Sequence, residues 1–290
     1  IDIHIMPDLP NSNPQMDKLM FDYVYNIVCP DQMKVYPCQT VPWTKIEKWY
    51  KEGKYVPYFD TNPNDLIDVV KYSMEKCPNW IRLPRVIRDI PCSTYVQGGN
   101  NVGNMRQIID KLLDGEGIVS HDIRAREIGR NTSYYNKPAE YNIYKYYANN
   151  GTEYFICYES YDKIALFGFI RLRIVNKIDN MIEFDILKEK GLVRELHVYG
   201  DTTAVNSYKN KAAQHKGIGS GLLKIAEKIT KENNLYGIVV ISGDGVRGYY
   251  ETKGYNDIDT FMVKNFRIWD VWFTILLKYL RYLFNIFKGV

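Results

Sequence analysis

Three sets of residues in this sequence have the types and spacing to do chemistry. The first is Gln214-His215-Lys216-Gly217-Ile218-Gly219-Ser220-Gly221-Leu222-Leu223, a Gln-x-x-Gly-x-Gly turn that opens an amphipathic helix. Ile218, Leu222, Leu223, Ile225, Ala226 and Ile229 recur at helical spacing, with Lys and Glu between them. Glycines before a helix remove the Cβ atoms that would keep a ligand from the backbone. The helix N-terminus then offers free N–H groups and the positive end of its dipole, so the expected guest is a pyrophosphate. By itself such a turn is equally an ordinary capped strand–turn–helix. The second set is Arg194-Glu195-Leu196-His197-Val198-Tyr199. Strand alternation puts Leu196 and Val198 on one face and Glu195, His197 and Tyr199 on the other. Glu195 and His197 can activate a water or an amine, and they can equally be a polar edge pair. The third set is basic: Arg82, Arg85 and Arg88 alternate with Leu83, Val86 and Ile87. Arg124, Arg126, Arg130, Lys137 and Lys145 follow, interleaved with Tyr134, Tyr135, Tyr141, Tyr144 and Tyr146. Arginines contact phosphates and tyrosines stack on unpaired bases. The same residues also suit a solvated surface with salt bridges between domains.

The elements that must position these residues follow from local pattern. Residues 192–199 and 237–243 read as strands, and 246–255 as a short helix closed by a glycine cap. Upstream, strands are expected at 1–6 and 33–37 and helices at 16–28, 44–52, 64–74 and 103–113, with Asn64-Asp65 as a cap. Residues 80–90 read as extended and basic. Strands alternating with helices predict parallel βα units. Residues 131–147 are polar, tyrosine-rich and basic, and read as a connection between two halves. Residues 154–158 and 164–175 read as two strands joined by a turn at Ser160-Tyr161-Asp162, 181–187 as a further short strand, and 205–213 as a polar loop.

Composition narrows the class. At 290 residues and 46% hydrophobic, the chain can bury one or two cores. A net charge of +4 requires any nucleic-acid surface to be a local patch. The five cysteines, Cys29, Cys38, Cys77, Cys92 and Cys157, are scattered and odd in number. That argues against a disulfide framework and fits a reducing compartment. No secretory pattern follows Ile1, and the chain reads as processed or as a piece of a longer one.

The strings Arg194-Glu-Leu-His-Val-Tyr-Gly200, Gln214-His-Lys-Gly-Ile-Gly219 and Val240-Ile-Ser-Gly-x-Gly-Val-Arg-x-Tyr-Tyr250 resemble the acetyl-CoA-binding core of GNAT-type acetyltransferases. They are most similar to the Elongator catalytic subunit family. His4-Ile-Met-Pro-Asp-Leu-Pro10, Lys34-Val-Tyr-Pro37 and Arg85-Val-Ile-Arg-Asp-Ile-Pro91 are similar to strings in that family's radical-SAM barrel. The resemblance runs from Ile1 to about Lys264. It implies an α/β chain: the end of a radical-SAM partial βα barrel (1–116), a linker region (117–150) and a GNAT domain with a mixed, mainly antiparallel sheet and helices (151–264). A hydrophobic C-terminal helix (265–290) lies beyond it.

What the resemblance implies about function is specific. The activity is acetyl-CoA-dependent carboxymethylation of the tRNA wobble uridine. The alternatives are a protein (histone) lysine acetyltransferase and a non-catalytic tRNA-binding scaffold. Glu195, Leu196, His197 and Val198 are expected to line acetyl-CoA. Ile218, Gly219 and Ser220 would meet its pyrophosphate, with Gln214, Lys216 and Gly217 completing the turn. Tyr250 would lie near the thioester sulfur as an acid for the departing thiolate, with Tyr249 packing or touching the pantetheine. Glu195 and His197 remain further catalytic candidates. Arg82, Arg85, Arg88, Arg124 and Arg126 are the tRNA-binding candidates. The family also uses S-adenosylmethionine and a [4Fe–4S] cluster, whose three-cysteine motif is absent from this chain. Ser120, Asp122 and Ala125 stand where relatives place zinc-binding thiolates, so no metal is expected. Other Elongator subunits are expected partners, a homodimer is admitted, and the expected location is cytoplasmic.

The tail from Ile268 to Lys288 falls outside the resemblance. Asp270, Thr274, Lys278, Arg281, Asn285 and Lys288 are spaced by three or four and form one polar stripe; the remaining surface is Trp, Tyr, Phe, Leu and Ile. Such a helix suits a membrane surface. Docking on protein with only the stripe in water is the bland alternative. Spanning a bilayer is disfavoured by the charge of Lys278 and Arg281 near mid-helix.

Overall fold

The computed structural model describes residues 1–87, 97–175, 184–200 and 217–288. The chain divides into two compact units, Ile1–Arg126 and Glu127–Val290.

The first unit carries βα elements on a small parallel sheet. Strands β1 (Asp2–Ile5), β2 (Gln32–Val35) and β4 (Arg82–Arg85) lie in the order β1-β2-β4, with both pairings parallel. A short antiparallel ladder joins β3 (Gln39–Thr40) to β5 (Gly98–Gly99). Helix α1 (Pro14–Tyr23) begins where the Asn13 side chain accepts the Met16 N–H, with Pro14 at the first helical position. The helix expected to reach Val28 changes character: Val24–Val28 is a π-helical turn, ended by Cys29 at φ 46°. Helix α2 (Lys45–Lys51) is capped by Thr44, and α4 (Pro63–Glu75) by Asn62 rather than Asn64. Leu66, Val69, Val70 and Met74 of α4 are buried with Phe21, Met33, Leu83 and Ile109, the last from α5 (Met105–Gly115).

Two of the buried carboxylates of this unit show how it is organised. Asp8 accepts the N–H groups of Tyr58 (2.8 Å) and Phe59 (3.2 Å), the first turn of α3 (Tyr58–Thr61). Asp122 accepts from Arg106 Nη2 (2.8 Å), Ser120 Oγ (3.1 Å) and the Arg124 N–H (3.0 Å) in α6 (Ile123–Arg126). Asp122 and Ser120, two of the positions read against zinc ligands, thus form a hydrogen-bonded node around a guanidinium. Among the described residues no group of three or more His, Cys, Asp or Glu is arranged to hold a metal ion.

The second unit is built on a seven-stranded sheet, β11-β12-β10-β9-β8-β7-β6. The strands are β6 (Ala139–Ala148), β7 (Gly151–Ser160), β8 (Leu166–Val175), β9 (Lys190–Val198), β10 (Gly237–Ile241), β11 (Asn256–Ile258) and β12 (Phe261–Asn265). Every pairing is antiparallel except β9 with β10. Residues 139–148, inside the expected connection, are instead the edge strand. Their tyrosines suit a strand, and an edge strand has no need of an apolar pattern. Asn149 (φ 45°) and Asn150 (φ 58°) make the tight turn into β7. Of the strand expected at 181–187, Asp185–Leu187 is a single 3₁₀ turn, and 181–183 lie outside the described residues. The loop expected at 205–213 also lies outside them.

Helix α7 (Ile218–Glu232) crosses one face of this sheet and buries Ile218, Leu222, Leu223, Ala226 and Ile229 against Ile170, Leu172, Ile238 and Val240. Helix α8 (Arg247–Glu251) is short. Helix α9 (Ile268–Lys288) packs on α7. Val271 is buried, and Lys278 Nζ of the polar stripe donates to the Glu232 carbonyl of α7 at 3.2 Å. The outward face is Trp269, Trp272, Phe273, Tyr279, Tyr282 and Phe284, each about 60% exposed or more. No helix among the described residues is long and apolar enough to cross a membrane.

Candidate functional site

The parallel pair at the middle of the second sheet parts. Lys190–Val193 of β9 pair with Gly237–Val240 of β10. β10 then ends at Ile241, while β9 runs on to Val198 paired with β8. The β9–β10 pairing therefore stops at Val193. A β-bulge sits at the parting point. Arg171 is opposite Glu195 and Leu172 opposite Val193, so Arg194 is the extra residue. The bulge resets the alternation. Val193 lies in the core under α7, and Leu196 and Val198 pack against the same core. Glu195 and His197 consequently turn to the opposite face. Alternation separated these four residues correctly, but it gave no hint that Val193 shares a face with Leu196.

The N-terminus of α7 completes the arrangement. Gly217 is the N-cap, in the left-handed region at φ 70°, and among the described residues no side chain caps the helix. The first intrahelical bond runs from the Gly221 N–H to the Gly217 carbonyl at 2.9 Å. The N–H groups of Ile218, Gly219 and Ser220 precede it and project from the helix end. A Cβ at Gly219 would lie 3.1 Å from Tyr249 Oη and 3.4 Å from Val198 Cγ2, and one at Gly221 would overlap the Tyr141 hydroxyl. These glycines therefore admit two tyrosines as well as any ligand. Tyr249 Oη is buried and has no hydrogen-bond partner among the described residues. Tyr250 is 5% exposed and meets the rings of Tyr249 and Tyr255 edge-on at 5.2 and 5.7 Å. Burial, reinforced by Tyr249, pushes its phenol up to about 12. Gln214 and Lys216 lie outside the described residues. The three N–H groups, the glycine cradle and the buried Tyr249 hydroxyl fit a phosphate-bearing ligand.

On the other face, Glu195 Oε2 accepts from Arg171 Nε at 2.9 Å. His197 is exposed, and its ring lies nearly parallel to Phe169, 6.1 Å away, and 4.4 Å from Tyr199. Arg171 and its surroundings were missed by the motif reading. The available signal was Phe169-Ile170-Arg171-Leu172-Arg173, where two arginines share a face with Phe169.

The basic candidates separate. Arg85 is exposed and Arg82 half-buried, while Arg88 lies outside the described residues. The Arg124 guanidinium donates to the Pro84 carbonyl. Arg126 is fully buried, with Nε on the His121 carbonyl and Nη2 on the Asn79 carbonyl, both at 2.8 Å. As an interior residue it is withdrawn from any phosphate.

Residues 30–114 match the Radical_SAM C-terminal domain family. Elongator complex protein 3 of Bos taurus is 36% identical over 267 residues, 90% of this chain and 48% of the relative. The tRNA uridine(34) acetyltransferase of Methanocaldococcus infernus is 34% identical over 277 residues, 91% of this chain and 50% of the relative. Among solved structures, an archaeal Elp3 from Methanocaldococcus infernus with its N-terminus deleted superposes with a TM-score of 0.78 at 33% identity, covering 91% of this chain and 62% of that one. The chain spans about half the length of the curated relatives it matches. Over that span the chain is homologous to Elongator complex protein 3 and the tRNA uridine(34) acetyltransferases, at about 35% identity.

Proposed function

We propose that this chain carries the acetyl-CoA-handling part of a tRNA wobble-uridine modification enzyme, one that makes 5-carboxymethyluridine. The observation that carries the reading is the parting of β9 from β10 after Val193, beside the three outward N–H groups of α7. In this reading residues 151–264 are a GNAT domain and residues 1–116 the end of a radical-SAM barrel. Acetyl-CoA, when bound, supplies an acetyl group activated as a thioester. Ile218, Gly219 and Ser220 bind its pyrophosphate through backbone N–H groups, with Gly217 at the helix N-cap. The backbone from Glu195 to Val198 lines the pantetheine arm. Tyr250 keeps its proton at neutral pH, because burial raises its pKa, and can give it to a departing thiolate. The S-adenosylmethionine and [4Fe–4S] chemistry of the family has no three-cysteine motif to stand on in this sequence. Arg82 and Arg85 are the described residues offered to tRNA phosphates, other Elongator subunits are the protein partners, and the cytoplasm is the location.

Titration calorimetry with acetyl-CoA tests the reading. Gly219→Val fills the space beside Tyr249 and the helix end, and binding should be lost; unchanged affinity would sink the assignment. Thiol release should be stimulated by tRNA. Stimulation by histone peptides instead would favour lysine acetylation.

The outward apolar face of α9 supports a second feature, docking on an anionic membrane surface. Its exposed Trp and Tyr rings suit the headgroup region, and Arg281 adds charge complementarity. Flotation with phosphatidylserine vesicles should recover the full chain but not one ending at Lys264. A chain that stays unbound and doubles in mass with concentration would instead be pairing with a second copy through this face.

A further inference from the structure

We propose that Arg171 is a positioning residue that fixes the Glu195 carboxylate on the face of the sheet opposite α7. The proposal rests on the acetyl-CoA reading above, and it assigns a function to a residue outside the acetyl-CoA motif. Arg171 lies directly opposite Glu195 in the β8–β9 register, with Nε 2.9 Å from Oε2. The two partners differ in exposure: the Arg171 side chain is 3% exposed and that of Glu195 43%. The guanidinium sits 5.2 Å from the centre of the Phe155 ring and 5.3 Å from that of Phe169. A buried ion pair is a poor way to gain stability, since an apolar side chain of similar volume between two phenylalanines generally does as well or better. What the charge adds here is direction. One end of the pair is immobilised in an aromatic slot, and the other end reaches solvent.

The neighbouring charges make the contrast. Arg173, two residues along β8, pairs with Glu153 at 2.8 Å, and Arg194 pairs with the same carboxylate at 2.9 Å. Glu153 is 5% exposed and closed in by two guanidiniums. Arg194 is the extra residue of the bulge, so this inner cluster holds the bulge in place. The bulge turns Glu195 onto the Arg171 face, and Arg171 then sets the carboxylate there. Of these two carboxylates, Glu195 alone remains open to a reacting group.

Acetyl-CoA affinity and thiol release of the 290-residue chain test this with Arg171→Met, Glu195→Gln and the double variant. Loss of positioning should lower kcat by about 100-fold and leave acetyl-CoA affinity unchanged. The double variant should be no slower than Glu195→Gln alone, because both changes remove one working unit. Should Arg171→Met fail to fold, Arg171→Lys provides the comparison, since it keeps the charge and loses the flat group that fills the slot. It should show the same split, with kcat lowered and affinity kept. An unchanged kcat in a folded Arg171 variant, or losses that multiply in the double variant, would overturn the proposal. So would a wild-type chain that binds acetyl-CoA and releases no thiol. If the wild type does not bind acetyl-CoA, the reading beneath the proposal falls, and the calorimetry alone identifies that failure.

Discussion

At the scale of single residues, burial decides what each ionisable group can do. Tyr250 lies in the core with its pKa raised to about 12, so it remains a proton donor throughout the physiological range. Thiol release should therefore show no alkaline loss from this group below about pH 10, and Tyr250→Phe should slow it by roughly 10²–10⁴-fold. Tyr249→Phe should instead weaken acetyl-CoA binding, because its buried hydroxyl lies against the glycine turn. A pH–rate profile beside calorimetry on both variants separates the two roles. Asp8 makes a second case. Burial pushes its carboxyl up to about 7, against two N–H donors that favour the ionised form. The folded state then holds a proton that the unfolded state releases above about pH 4. Asp8 should make the fold lose stability as pH rises from about 4 to 7 and no further beyond that. Urea midpoints across this range should slope less in Asp8→Asn than in the wild type.

At the scale of elements, the glycines of α7 and the hairpin before β7 are each explained by a neighbour or a dihedral angle. Gly221 leaves room for the Tyr141 hydroxyl, whose ring lies 4.7 Å from that of Tyr158. Gly221→Ala should cost about 1–3 kcal/mol by overpacking, and Tyr141→Ala in the same chain should recover part of it. Thermal denaturation of the two variants checks this, and an equal loss in both would mean that the clash is relieved elsewhere. Asn149 and Asn150 occupy the left-handed region that a two-residue hairpin needs. Asn150→Val should cost roughly 1–2 kcal/mol, and Asn150→Gly should be neutral or better. Both residues lie beyond the motifs, so acetyl-CoA affinity provides the control.

At the scale of the whole molecule, the small net charge limits how RNA would be held in the proposed function. With a net charge of +4, binding must come from a local patch, and its salt dependence counts the phosphates contacted. Arg85→Ala should weaken tRNA binding for all sequences and reduce the salt slope by about 1. Arg126→Ala should leave the slope unchanged and lower stability by about 1–3 kcal/mol, since it strips buried carbonyls of their donors. Filter binding over a salt series, with a denaturation curve for each variant, distinguishes a surface arginine from an interior one.

Local chemistry made much of this legible in the sequence. Helical periodicity from Ile218 to Ile229, the glycine turn before it, the apolar run Ile238–Ile241 and the C-terminal helix depend on neighbours within a few residues. The motif strings likewise carried the family. What the sequence could not determine depends on partners far along the chain. The bulge at Arg194 exists only in register with Arg171 and Leu172, and it decides which face Glu195 and His197 occupy. Arg126 reads as a surface cation until the carbonyls of Asn79 and His121 enclose it. Residues 139–148 read as a connection because their pattern is polar, and pairing with β7 makes them a strand. The stripe on α9 looked bound for water, and Asp270 and Arg281 are exposed, but α7 presents a C-terminal carbonyl at the negative end of its dipole and Lys278 donates to it. Periodicity fixes which residues share a face, and only the tertiary structure decides what that face meets.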